Sequence, residues 1–191
     1  GCGMVMKPEP IFACVENLLT GAGPTRPLVI LMSPVAPRFC QADAERLSRV
    51  DHLILLCGHY EGVDERVRDY LCDEALSVGD YVLTGGELPA MLVTDAVVRL
   101  LPGVLGAEDG AALDSYSSGM LEYPQYTRPS LFREWEVPGV LLSGNHAEIA
   151  RWRRQESLRR TWELRPDLLN ASELSDADRR YLATLKKESQ E

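Results

Sequence analysis

No apolar run in this 191-residue chain reaches the eighteen or so residues that span a bilayer, and the opening GCGMVMKPEP offers neither a basic region nor a hydrophobic signal core. These absences remove a membrane partner from the reading and point to the cytoplasm. Cysteine is sparse as well: Cys2, Cys14, Cys40, Cys57 and Cys72 are odd in number and form no C-x-x-C pair. Neither a disulfide framework nor a zinc site is expected; reduced, mostly buried thiols are. The three histidines, His52, His59 and His146, are too scattered for a metal centre, so no metal ligand is assigned. The G-x-x-x-x-G-K-[ST] and G-x-G-x-x-G patterns are missing, which sets aside P-loop and dinucleotide sites. Without a G-x-S-x-G elbow, a serine hydrolase is not expected either. Bases are in deficit, since 20 Lys and Arg against 29 Asp and Glu leave a net charge of −9. That sign repels a polyanion, so any contact with nucleic acid has to come from a local basic patch.

What is present suffices for a core, because 45% apolar residues against 26% charged can bury most of the surface of one or two domains. The first half repeats one unit three times. PLVILMSP, DHLILLCGHYEG and GDYVLTGGELP are short apolar runs ending at Pro or Gly, separated by helix-like QADAERLSRV and DERVRDYLC. This alternation predicts an α/β fold on a largely parallel sheet, with its ligand beyond the carboxyl ends of the strands. The three turns therefore make one candidate pocket. Helices are also predicted for PIFACVENLLT and for the run opening at Pro89, which would carry Arg99 in its apolar second half.

After Gly106 the composition changes: GAEDGAALDSYSSGMLE holds three glycines, three serines, four carboxylates and no base, as a mobile linker does. A domain boundary is placed there, with residues 1–105 ahead of a linker at 106–122 and residues 123–191 beyond it. Asn145 and Glu148 form a capping-box pattern ahead of HAEIARWRRQESLRRTWELR. Residues 150 to 165 there carry six arginines against two glutamates, either a solvated face or a patch for RNA. Ile149, Trp152, Leu158 and Trp162 do not share one helical stripe, so this helix bends or is contacted on more than one side.

Around the pocket, Gly58, Gly62, Gly79, Gly85 and Gly86 bare the backbone so that a flat ligand could approach, although tight turns would explain any one of them as well. Four stretches then carry a resemblance: LLCGHYEGVDERV, SVGDYVLTGGELPAMLVTDAVVRLLPGVLG, YPQYTRP and VPGVLLSGNHAEIARWR. They resemble the bacterial tRNA (guanine-N(1))-methyltransferases of the SPOUT class, over a span from about Met4 to the last helix. The resemblance implies a parallel sheet with a C-terminal trefoil knot holding S-adenosyl-L-methionine, a flexible linker, a small all-α tRNA-binding domain, and a homodimer with the active site at the subunit interface. A knot is a rare exception among chain topologies. Mg2+ is a second cofactor that the resemblance suggests.

The resemblance also assigns residues. Gly58, Val78, Gly79, Asp80, Tyr81, Val82 and Leu83 match the cage round the methyl donor, with Gly85 and Gly86 in the adjoining turn and Pro34 and Glu61 beside it. Arg99 matches the arginine that holds the guanine carbonyl oxygen, and Asp114 the general base. The residue types suit the chemistry: the ring nitrogen becomes a nucleophile once its proton leaves, and an arginine steadies the anion. Without the resemblance, Arg99 would read as the i, i+4 partner of Asp95 and Asp114 as a linker charge.

Two departures stand out. Where the family reads Pro-Gln-Gly, this chain has Pro34, Val35 and Ala36, which removes an amide and a glycine near the donor. The chain also opens on Gly1, where the family is already past a first strand and helix; a fragment or a shortened variant is expected, with an unpaired sheet edge. The alternatives to a working enzyme of this type are an impaired fragment that keeps donor or tRNA binding, and a related methyltransferase with another RNA target.

Overall fold

The computed structural model describes residues 3–106, 114–170 and 173–188. Two compact units divide the chain, Gly1–Glu108 and Asp109–Glu191.

The first unit is built on three parallel strands, β1 (Leu28–Met32), β2 (Leu53–Cys57) and β3 (Glu74–Leu76), in the order β2-β1-β3. Ile30 pairs with Leu55 on one side and Glu74 on the other, placing β1 at the centre. Helices cover both faces, and this explains why LVILM is apolar throughout rather than alternating. On one face Ile30, Met32 and Leu76 pack with Ala44 and Leu47 of α2 (Gln41–Leu47) and Val93 and Val97 of α4 (Glu87–Val98). On the other, Val29 and Ile54 pack with Val15 of α1 (Pro8–Thr20) and Val67 of α3 (Glu65–Tyr70). The buried side chains at Val29, Ile30 and Val67 are worth about 1.5–3 kcal/mol each relative to exposure.

Three expectations change here. The third strand is Glu74–Leu76 and not GDYVL, which runs as a loop with Tyr81, Val82 and Leu83 exposed. Asp73 decides the matter: its carboxylate accepts the Val29 N–H at 2.8 Å and salt-bridges Arg26 at 2.7 Å, aligning Glu74–Leu76 beside β1. α4 starts at Glu87, with Gly86 as its N-cap, so that Arg99 is the residue capping its carboxyl end rather than one inside it. The thiols are less buried than expected, with Cys14 and Cys40 exposed and Cys57 and Cys72 only partly covered, while Cys2 lies outside the described residues. Burial raises the Cys72 thiol to about 11, helped by the Asp73 carboxylate.

In the second unit, α6 (His146–Leu164) packs against α5 (Gly139–Leu142), the 3-10 turn Pro166–Asn170 and α7 (Asp176–Glu188). Contact with three neighbours accounts for the scattered apolar residues: Leu158 and Trp162 face the core shared with Leu182 and Leu185, while the Trp152 ring meets Tyr126. Asn145 caps α6 by accepting the Glu148 N–H at 3.3 Å. The unit is not wholly helical, because β4 (Leu131–Phe132) and β5 (Trp135–Glu136) form a short antiparallel hairpin turned by Arg133 at φ 57°. Residues 107–113 of the expected linker fall outside the described residues. Its last part packs into this unit: Met120 is buried, and Leu121 donates its N–H to Thr161 Oγ1 at 3.0 Å and accepts from Ser157 Oγ.

Candidate active site

The loops that leave the carboxyl ends of β1, β2 and β3 close round a cavity of about 270 Å³. Pro34 reaches it from the first loop, and Gly58 and Glu61 from the second. The third loop supplies Val78, Tyr81, Val82 and Leu83, followed by Gly85 and Gly86. Gly79 and Asp80 are not among its lining residues. Asp80 turns outward to Arg38 at 3.2 Å, and Gly79 sits under the Tyr81 ring, which would crowd any side chain placed there. Ser33, Thr84 and His59 also line the cavity, and Val35, from the departing Pro34-Val35-Ala36 turn, stands exposed at its edge.

Backbone pairing fastens the loops to one another. Ser33 donates to the Leu76 carbonyl at 2.9 Å, Phe39 to that of Ser77 at 2.8 Å, and Gly86 to that of Gly58 at 2.9 Å. The last bond explains one glycine. A Cβ on Gly86 would lie 2.6 Å from Cys57 Cα and 3.0 Å from the Gly58 nitrogen, so the bare backbone is required by a neighbouring chain segment. The sequence leaves the close approach of a ligand and a tight backbone passage both open for this glycine, and at Gly86 the neighbour is backbone. At Gly62 the cause is a φ of 112°, closing the turn whose N–H returns to the His59 carbonyl at 3.0 Å.

Glu87, in the first turn of α4, holds His59 Nε2 at 2.7 Å, with both side chains about half exposed. Its carboxyl lies below the ordinary range because of its own backbone N–H and then the imidazole. Beside it the Cys57 thiol is raised, first by burial and then by this carboxylate. Sequence reading assigned no role to His59 or Glu87. The available signal was the adjacency of each to a pocket glycine, in GHYEG and GGELP.

A family model described as tRNA (guanine-1)-methyltransferase TrmD matches residues 1–171. The chain belongs to this family. A tRNA (guanine-N(1)-)-methyltransferase of Moorella thermoacetica is 64% identical over 182 residues, covering 95% of this chain and 73% of that protein. Proteins of the same name from Halalkalibacterium halodurans and Dehalococcoides mccartyi are 55% and 56% identical, covering 77% and 73% of their own lengths.

In this tRNA (guanine-1)-methyltransferase family member, Arg99 is half-buried, and its backbone N–H bonds the Asp95 carbonyl at 3.1 Å in the last turn of α4. Asp114 is half-buried in the second unit, where its carbonyl accepts from Ser117 at 3.3 Å in the turn ahead of Met120.

The arginine-rich helix separates into two kinds of residue. Arg154 is structural: it grips buried Asp178 through Nε at 3.2 Å and Nη2 at 2.9 Å, holding α6 to α7. Asp178 also accepts from Ser175 N and Oγ, a reciprocal cap on α7, and with Arg154 as the leading cause its carboxyl falls to about 2. Arg153 is exposed and lies over the Tyr123 ring at 4.9 Å, a stacked cation open to a partner.

Proposed function

We propose that this chain transfers a methyl group from S-adenosyl-L-methionine to ring nitrogen 1 of the guanosine 3′ of the anticodon in tRNA. The observation that carries the reading is the convergence of nine of the eleven donor-site residues on one cavity at the carboxyl ends of a parallel sheet. Family membership and relatives named for guanine-N(1) methylation support it, and favour it over an impaired fragment or another RNA target.

The cavity suits the donor in kind. Leu76, Val78 and Leu83 offer apolar walls to an adenine, Ser33 and Thr84 offer hydroxyls, and Glu61 offers a carboxylate to a sulfonium. When bound, the donor supplies a methyl group already activated for transfer. Of this chain's own residues, Asp114 takes the proton from the ring nitrogen and Arg99 steadies the charge that spreads onto the neighbouring oxygen. Among the described residues no three of His, Cys, Asp and Glu gather as a site for Mg2+.

The same reading places residues 1–105 as the donor-binding domain, 106–122 as a linker and 123–191 as the tRNA-binding domain, with exposed Arg153 among its contacts. A trefoil knot fits the tight passage of Gly86 against Cys57 and Gly58. A homodimer with shared active sites fits the apolar stripe of Leu88, Met91, Leu92 and Val98 along α4, all exposed, which a second copy would cover. Among the described residues no helix is long and apolar enough to cross a membrane, and cytoplasmic residence remains the reading.

The test is label transfer from methyl-labelled donor into two tRNA transcripts, with guanosine or adenosine at the position 3′ of the anticodon. Transfer confined to the guanosine transcript, recovered as 1-methylguanosine, is expected. Equal transfer to both, or label on ribose, overturns the proposal.

A further inference from the structure

The turn at residues 59–62 carries backbone strain at the cavity wall. Tyr60 stands at φ 60° and Gly62 at φ 112°, and the left-handed conformation at Tyr60 is unfavourable for a side chain of its kind. Backbone bonds hold the turn from two sides: Glu61 donates to Met4 at 3.0 Å and Gly86 donates to Gly58 at 2.9 Å. One side-chain contact reaches across to α4. It joins His59 Nε2 to Glu87 Oε1 at 2.7 Å, while the His59 backbone forms an isolated bridge with Gly85. A Cβ at Gly85 would run into Glu87 Oε2 and stand 2.7 Å from His59 Cε1 and 2.9 Å from Nε2. Gly85 is therefore bare on the side where this pair sits.

We infer that His59 and Glu87 form a latch that positions the 59–62 turn, with Glu61, against the cavity, and that Gly85 is a glycine in order to seat it. The inference rests on the donor-pocket reading above. Neither side chain need touch the reacting atoms: the latch joins the β2–α3 turn to the first turn of α4, the two segments between which Gly58, Glu61, Gly85 and Gly86 are placed. Its closing contact is half exposed, so its worth is one moderate hydrogen bond. Donor affinity is the quantity it sets, through the turn, and it acts on KM for the donor more than on kcat.

Calorimetry with S-adenosyl-L-methionine and the full chain, beside thermal melts, tests this. His59→Ala and Glu87→Ala should each raise the dissociation constant about three- to tenfold, the double variant no further than the worse single, and His59→Gln, which can still donate to Glu87, should restore most of the loss. Gly85→Ala should weaken binding in the parent but add less than twofold in the double-Ala background, where the space it needs has been vacated. Additive single effects, or a Gly85→Ala penalty unchanged in the double background, would overturn the latch while leaving the pocket standing. Parent-like affinity in both single variants would do the same. A parent chain that binds no donor would overturn the pocket reading, and the latch with it.

Discussion

Substituting Gly86 by alanine tests the tightest point of the first unit. The added carbon would lie 2.6 Å from Cys57 Cα, about 1 Å inside the separation that carbon atoms prefer. Because the obstacle is backbone, with the Gly58 nitrogen at 3.0 Å, no rotamer change relieves it. α4 or the end of β2 has to move, at the expense of the Gly86–Gly58 hydrogen bond of 2.9 Å. Overpacking of this kind costs about 3 kcal/mol, the upper part of the usual range. For a unit of this size that lowers the midpoint of thermal unfolding by about 12 °C. Two milder glycines calibrate the series. A Cβ at Gly58 meets Val63 Cγ1 at 3.3 Å, a methyl that can shift, and the Val63 nitrogen at an ordinary 4.0 Å, so Gly58→Ala should cost about 1 kcal/mol. At Gly21, which caps α1 at φ −91°, the nearest atom is the Leu18 carbonyl oxygen at 3.9 Å, and Gly21→Ala should stay within about 0.5 kcal/mol. Scanning calorimetry measures the ranking, and titration well below the melt should show Gly86→Ala losing S-adenosyl-L-methionine. A Gly86→Ala chain melting within about 3 °C of the parent would refute the reasoning, since the carbon would then have found room the geometry denies it.

The remaining predictions concern the chemistry and the second unit. Asp114→Asn should lower single-turnover methylation by about two to four powers of ten with donor affinity retained, and mixing it with Arg99→Ala chains should restore some activity if sites are shared across a dimer. An unchanged single-turnover rate would remove Asp114 as the base. Arg153→Ala should weaken tRNA binding and reduce the salt slope by about one, whereas Arg154→Ala should mainly destabilise the second unit by leaving the buried Asp178 carboxylate without its cation, a difference that binding isotherms and melts separate. Asp178 has its folded pKa depressed to about 2, so its stabilisation is present above the ordinary carboxylate value near 4 and lost as pH falls towards 2. Asp178→Asn should cost about 2 kcal/mol near neutral pH and flatten the stability profile between about pH 4 and 2, as denaturant titrations across that window would show.

Much of the architecture was legible in one dimension, because strand and helix have different apolar periods. LVILM and LILLC announced parallel strands, and the Gly- and Pro-rich turns announced the sheet edge where a cavity forms. The proposed donor residues came from the family's ordered motifs, which composition alone could not supply, and nine of the eleven line the cavity. Local pattern failed where a distant group decided the outcome. GDYVL has the residues of a strand, yet Asp73 aligns Glu74–Leu76 beside Val29 instead. The arginine run of α6 looked uniform, and only the packing of α7 set Arg154 against Asp178 while leaving Arg153 over Tyr123. The glycines show the same division. Sequence marked where backbone had to be bare, but only the fold placed Cys57 against Gly86 and the His59–Glu87 pair against Gly85, because such contacts join segments some thirty residues apart that no local propensity can bring together.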